Sequence, residues 1–292
     1  MDSRLGIRFL GTRSTHIATT KDIGQFGGGA EALLIQYGDA NLLVNCGFSV
    51  DSWSEVMLRR LQSKGQKFEG HIFFTDFLWE HILGFPFMLP IHFSTSRVSI
   101  HSSESAAKSA LLLGHSCSLD FSPFNGIESL RASIQFVEHK GPAQIFDGWI
   151  AHGLRLDQQI QMRQVKTAWK LTCPSGQVIL VSSGRVSLKD IERNPSFFEG
   201  VDFYIQSLEF QDRLTSRDSD RQCYIDTVAA AMAMKCSNLF VTGFRPDSGE
   251  SILLDFEMMC QKLGEQSGCH VEFSREGKVI YLDKEQQTKA IA

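Results

Sequence analysis

At 292 residues the chain is long enough to bury a sizeable core without a metal or a disulfide to hold it together. It is 42% hydrophobic and 21% charged, with a formal net charge of -4, which is the composition of an ordinary globular protein. This balance excludes a strongly basic nucleic-acid binder, so no nucleic-acid partner is indicated.

Cysteine usage and apolar runs set the expected compartment. Seven cysteines are scattered without a C-x-x-C pair, which favours reduced thiols over a disulfide framework. No apolar run approaches the roughly 20 residues that a membrane span requires, and the first residues lack a signal-peptide pattern. We therefore expect a cytoplasmic protein with no membrane partner.

Short β-rich segments separated by Gly or polar turns fill the first half of the chain and predict a mainly antiparallel sheet. Ser52 and Glu55 then have the spacing of a capping box, and Gly65 stands where a helix would end. A helix between them is predicted to pack on the sheet. The predicted strands are residues 7–10, 32–37, 41–45, 71–75 and 98–101.

The second half repeats this alternation. The acidic pair Asp247 and Glu250 resembles a capping box for the last helix, and Gly264 ends it. Two strand-rich halves that each carry helices predict an α+β fold, a four-layer αββα sandwich, in a single domain over residues 1–283 with a polar tail at 284–292. The predicted strands are 169–172, 178–182, 203–207 and 240–243, and the helices lie at about 224–235 and 250–263.

The segment Thr75-Asp76-Phe77-Leu78-Trp79-Glu80-His81 has the frame of a metal-binding turn. It resembles the T-H-x-H-x-D-H signature of the metallo-β-lactamase superfamily, but Asp76, Leu78 and Glu80 stand where that family has His, His and Asp. Only His81 is unchanged. Residues 81–87 also match the family's H-I-x-G-L-P-F, so the resemblance implies the superfamily's fold while it argues against its zinc hydrolysis.

Three earlier blocks support the resemblance because they occur in the family's order. Residues 9–13 look like the opening strand and turn of the phosphodiesterase, ribonuclease Z-like branch. Residues 26–29 look like its Y-G-G-N segment, and residues 42–47 look like its L-I-L-D-A-G strand.

The resemblance also places the other metal-ligand positions of the family. It puts the bridging carboxylate at Ser183, a His at Arg221 and a closing His at Gly243, and one further His within residues 158–164, where this sequence has none. Zinc hydrolysis of this type depends on neutral imidazoles and a carboxylate that hold metal and hydroxide. We therefore predict no catalytic residue, no metal and no other cofactor.

Two interpretations remain open for the carboxylates of the degenerate turn. Asp76, Glu80 and His81 could converge on one divalent metal ion and support a residual phosphodiester or ester hydrolase. Alternatively, Asp76 and Glu80 cap a helix N-terminus, where negative charge is favourable, and His81 is a packed histidine.

Three arginines near the former metal positions are candidates for ligand binding. Arg185, Arg221 and Arg245 could present guanidinium groups to a phosphate or carboxylate. Alternatively, Arg221 faces Asp76 or Glu80 and fills the cleft with a salt bridge, so that a fixed positive charge partly replaces the lost metal ions.

The combined prediction is a metallo-β-lactamase-fold pseudoenzyme that acts as a binding or regulatory module. Its partner would be another protein or a small anionic ligand. Because relatives of this branch commonly form homodimers, the resemblance also implies a possible homodimer.

Overall fold

The structure is a computed structural model that describes residues 4–14, 17–117, 126–156, 165–208 and 217–282. The predicted tail at 284–292 and the segment 158–164, where the resemblance seeks a further His, lie outside these residues.

Two seven-stranded sheets form the centre of the described chain. The first has the strand order β14-β1-β2-β3-β4-β5-β6 and the second β13-β12-β11-β10-β9-β8-β7. The strands are β1 (Leu5–Gly11), β2 (Ala32–Tyr37), β3 (Ala40–Val44), β4 (Glu69–Phe73), β5 (Arg97–Ser102), β6 (Ser133–Glu138), β7 (Ala143–Phe146), β8 (Trp149–Arg155), β9 (Thr167–Thr172), β10 (Val178–Ser182), β11 (Phe203–Ser207), β12 (Asn238–Thr242), β13 (His270–Phe273) and β14 (Val279–Leu282).

Seven α-helices accompany the strands in the part of the chain that the structure describes. They are α1 (Val50–Ser63), α2 (Trp79–Ile82), α3 (Ala106–Cys117), α4 (Leu188–Arg193), α5 (Pro195–Phe198), α6 (Arg217–Ala233) and α7 (Glu250–Glu265).

Three separate apolar clusters show how these elements are layered. One lies between the two sheets and includes Phe73, Trp149 and Trp169. A second lies between the first sheet and the helices on its outer face, and a third lies between the second sheet and α6 and α7. Three buried interfaces between four layers confirm the predicted αββα sandwich.

The first sheet differs from the predicted antiparallel arrangement. Strands β14, β1, β2 and β3 pair antiparallel, but β3, β4, β5 and β6 run parallel. The reason is that α1 and α3 each cross the outer face between two strands and return the chain in the same direction.

Helix starts were predicted less well than helix existence. Helix α1 begins at Val50 with Ser49 at its N-cap, and the Ser52 hydroxyl donates to the Ser49 carbonyl at 3.4 Å, so the predicted capping box is wrong. Asp247 likewise binds Arg245 and does not cap α7, whose N-cap is Gly249. The carboxyl end of α1 is as predicted, because Gly65 follows it with φ of 64°. Gly264, predicted to end α7, instead lies inside that helix, which continues to Glu265.

No helix within the described ranges is both long enough and apolar enough to cross a membrane.

Candidate functional site

The candidate site lies where the carboxyl ends of β4 and β10 meet across the two sheets. Thr75 and Asp76 follow β4, and Ser183 follows β10. The Ser183 hydroxyl donates to Thr75 Oγ1, and the Thr167 N–H at the start of β9 donates to the Thr75 carbonyl at 2.7 Å. Asn45 fixes the turn further, because its Oδ1 accepts from the Thr75 N–H at 3.1 Å.

Asp76 is the centre of the site and is completely buried at its side chain. Its Oδ1 accepts from His81 Nδ1 at 2.7 Å and from the Leu78 backbone N–H at 2.8 Å. Its Oδ2 accepts from Lys166 Nζ at 2.8 Å and from the Ser183 hydroxyl at 3.2 Å. Both carboxylate oxygens are therefore already engaged with protein donors.

The ion pair with Lys166 decides the charge of this site. Burial by itself would raise the pKa of Asp76, but the charges of His81 and Lys166, and their hydrogen bonds, outweigh burial and hold that pKa well below its usual range. Asp76 is consequently ionised, and the Lys166 side chain beside it is only 6% exposed. A cation thus lies against the carboxylate at a position where the sequence resemblance predicts a metal ligand.

Glu31 is a second buried carboxyl of the site. Burial raises its pKa, while His81 and a hydrogen bond from Ser207 act in the opposite direction. The Ser207 hydroxyl donates to Glu31 Oε2 across the two sheets. Gly243 has φ of 72°, and a Cβ there would meet Ser207 Oγ at 2.2 Å, so the position predicted as a lost ligand is one that only Gly fits.

A metal does not fit the residues present. Leu78 offers only its backbone N–H to Asp76, and Glu80 is partly exposed on α2, outside the set of groups that contact Asp76. Among the described residues no group of three or more His, Cys, Asp or Glu side chains could hold an ion. The alternative site at Asp76, Glu80 and His81 is therefore not assembled among the described residues, and Asp76 and His81 bond to each other instead.

Arg221 does not lie in the cleft, so its predicted contact with Asp76 or Glu80 is wrong. It is exposed on α6, where its Nε contacts Met259 Sδ of α7 at 3.3 Å. The cation that does face Asp76 is Lys166, which enters from the loop before β9.

The other two candidate arginines are held by acids. Arg185 lies 3.0 Å from Asp226 of α6 and donates to Cys223 Sγ. Arg245 donates to Asp247 at 3.0 Å and lies 3.5 Å from Asp220, and its hydrogen bond to Asp247 is the main reason that its pKa is raised. Both guanidinium groups therefore already bind acids, and binding of a phosphate or carboxylate ligand by the three arginines stays a prediction.

A cavity of about 260 Å³ opens on the side of Asp76 that faces α3. Hydroxyl groups of Thr75, Ser102, Ser103 and Thr167 contribute to its wall, and the Ser103 and Thr167 hydroxyls bond to each other at 2.6 Å. Asp76 also lines this cavity, although both of its carboxylate oxygens accept hydrogen bonds from protein groups.

Lys166 and Glu31 are the site residues that sequence reasoning missed. A lone lysine before an apolar strand, and a lone glutamate after a Gly-rich segment, have the pattern of ordinary surface charges. Their burial follows only from the packing of β9 and β2 into the two sheets, so no local signal could have found them.

Comparison with known proteins identifies the fold. No protein-family model matches the sequence, and no curated protein matches it. Among solved structures, the chain is similar to the metallo-beta-lactamase fold protein YhfI from Bacillus subtilis, with 11% identity, a TM-score of 0.64 and coverage of 96% of this chain and 100% of the other.

Two further structures agree. A diphosphatase from the PhnP family has 13% identity and a TM-score of 0.60 over 96% of this chain and 98% of its own. Zn(2+)-bound PqqB from Methylobacterium extorquens has 9% identity and a TM-score of 0.59 over 95% of this chain and 100% of its own. The chain therefore has the metallo-β-lactamase fold.

Proposed function

We propose that this protein is a non-hydrolytic member of its fold class, a pseudoenzyme that acts as a binding or regulatory module. The observation that carries the proposal is the ion pair at the former metal position, where Lys166 Nζ lies 2.8 Å from Asp76 Oδ2.

The ion pair supports the proposal through simple electrostatics. Two unit charges 4 Å apart interact by about 4 kcal/mol at an effective dielectric constant of about 20. A divalent cation about 4 Å from Lys166 would meet about twice that repulsion, and it would find both Asp76 oxygens engaged. Without a metal the site lacks a means to ionise water at neutral pH, and the fold's hydrolytic chemistry depends on that step.

The binding role rests on what the fold retains. The sandwich keeps a buried polar network at the edge of the two sheets and an open cavity beside it. Because Arg185 and Arg245 already pair with acids, a protein partner, including a second copy of this chain, is favoured over a small anion at that edge.

The test combines metal analysis with an activity assay on protein purified without chelator. We expect no stoichiometric zinc, manganese or iron, and hydrolysis of bis-p-nitrophenyl phosphate that equals the buffer rate with or without added metal.

A folded His81→Ala variant is the control for this assay. Turnover that disappears in that variant would contradict the proposal, as would two bound metals per chain. One bound metal that is lost in Asp76→Ala would instead establish the residual hydrolase site.

A further inference from the structure

A larger cavity lies at the opposite edge of the sandwich, away from Asp76. Its volume is about 600 Å³, within the roughly 300 to 1,000 Å³ of small-molecule sites. It is formed where the amino end of β4, the β2–β3 and β7–β8 turns and the end of α1 meet. Partly exposed Tyr37, Leu61 and Phe146 provide an apolar surface in it.

His71 lines this cavity and begins a chain of three hydrogen-bonded imidazoles. His71 Nδ1 lies 2.9 Å from His101 Nε2, and His101 Nδ1 lies 2.9 Å from His139 Nε2. The chain runs inward between the sheets, and the His71 ring stacks on Phe146 at 4.1 Å between centroids. The nitrogen of His71 outside the chain is Nε2.

The chain determines which nitrogen of His71 carries the proton. A neutral imidazole donates through one nitrogen and accepts through the other, so the three tautomers are coupled and only two arrangements exist. The buried His139 Nδ1 has no hydrogen-bond partner among the described residues. If it carried the proton, a buried N–H would be left without an acceptor. The other arrangement leaves an unmatched acceptor there, which is tolerated better than an unmatched buried N–H, and it places the proton on His71 Nε2.

Charged residues of both signs line this cavity, and they are grouped by element. Exposed Arg60, Lys64 and Lys67 stand on the side of α1 and the loop after it. The acids Asp39 and Asp147 lie on the two hairpin turns, and Asp147 interacts electrostatically with His71. Glu69 lies 3.8 Å from Arg97. The wall formed by α1 is therefore positive.

We propose that this cavity binds a small planar aromatic anion, with the ring against Tyr37 and Phe146 and the acidic group between His71 Nε2 and the cations of α1. A ring matches the apolar surface, and a carboxylate or phosphate accepts from His71 and attracts Arg60 and Lys64. The site is separate from the Asp76 edge, so its failure and the failure of the proposed function are distinguishable.

The test titrates full-length protein by calorimetry with 1-naphthoate, 1-naphthyl phosphate and the uncharged 1-naphthamide. We expect saturable binding of at least one anion and at least about tenfold weaker binding of the amide, which corresponds to about 1.4 kcal/mol. Whichever anion binds more tightly identifies the acidic group as carboxylate or phosphate. Equal affinity for the amide, or no saturable binding of either anion, would overturn the proposal.

A double variant tests the positive wall. Arg60→Glu with Lys64→Glu changes exposed side chains, so the fold should persist, and we expect at least about tenfold weaker binding of the anion. Lys262→Glu, near the end of α7 and not among the residues that line the cavity, is a charge-reversal control and should leave affinity unchanged. Equal affinity in the double variant would refute the assignment.

A spectroscopic readout tests His71 itself. In ¹⁵N spectra of the histidine rings, the bound anion should shift the resonance of His71 Nε2, which carries the proton. The resonances of exposed His270 should not change. If the anion binds while the His71 resonance stays unchanged, the anion lies elsewhere and the proposal is contradicted.

Discussion

At the scale of single residues, Lys166 and Asp76 determine each other's state. Neither charge is tolerated in this interior alone, because an unpaired buried charge is strongly destabilising. The pair also receives hydrogen bonds from His81 and Ser183, so the carboxylate is fully satisfied. A buried carboxylate needs a compensating charge, and here Lys166 provides it.

Lys166→Met tests this dependence. The change leaves Asp76 buried beside an apolar side chain, and we expect the free energy of unfolding to fall by about 3–5 kcal/mol. Urea denaturation at neutral pH measures it.

Two controls accompany this variant. Adding Asp76→Asn to Lys166→Met should recover a large part of the loss, because no uncompensated charge remains. Arg221→Ala should change stability by less than about 0.5 kcal/mol, since that side chain is exposed. A larger effect for Arg221→Ala than for Lys166→Met would contradict the structure of the site.

At the scale of elements, neighbouring parallel strands bring three histidines into line. His71 lies in β4, His101 in β5 and His139 directly after β6. Burial lowers the pKa of His71 to about 4, against a smaller opposite effect of Asp147. Burial and then the adjacent His71 and His139 lower the pKa of His101 to about 2.

These shifts predict a loss of stability in acid. Above pH 6.5 the rings are neutral in both the folded and the unfolded chain. As the pH falls below 6.5, the histidine rings of the unfolded chain bind protons and those of the folded chain do not. Each of the two histidines therefore lowers the free energy of unfolding by up to about 1.4 kcal/mol per pH unit. The contribution of His71 ends near pH 4, and that of His101 continues to about pH 2.

An NMR titration separates these histidines from other acid effects. His71 and His101 should remain neutral at pH 5, whereas His270 should protonate above pH 6.5, because its hydrogen bond with Glu272 raises its pKa. A normal titration of His71 or His101 near pH 6.5 would contradict the imidazole chain.

At the scale of the whole molecule, the burial of the cysteines can be used to test how the layers pack. Six of the seven are buried, while Cys223 on α6 is partly exposed. Burial also raises the pKa of several thiols, for example that of Cys117 to about 11 and that of Cys260 to about 12. The thiolate is the reactive form, so both access and ionisation protect the buried residues.

Thiol labelling tests this packing, because six of the seven cysteines are buried in the native protein. We expect one thiol of the native protein to react rapidly at pH 8 and all seven to react in denaturant. The rapid phase should disappear in Cys223→Ser. Several rapidly reacting thiols in the native protein would show that one of the layers is not packed as described.

Some parts of this fold can be predicted from the local sequence. Alternating or continuous apolar runs marked strands such as β2, β10 and β11, because side-chain burial in a sheet follows the strand period. The hairpin between β7 and β8 was not predicted, although Asp147 and Gly148 both have positive φ and form a D-G turn signal. That signal was local and could have been used.

Sequence alone also determined what the site lacks, because Leu78 and Gly243 cannot bind a metal through their side chains in any fold. Only the tertiary structure decided what the site contains. Lys166 is 90 residues from Asp76, and Ser207 is 176 residues from Glu31. Such pairs form because the order of strands in the sheets brings distant strand ends together. The sequence around a charged residue does not reveal which partner this strand order places beside it.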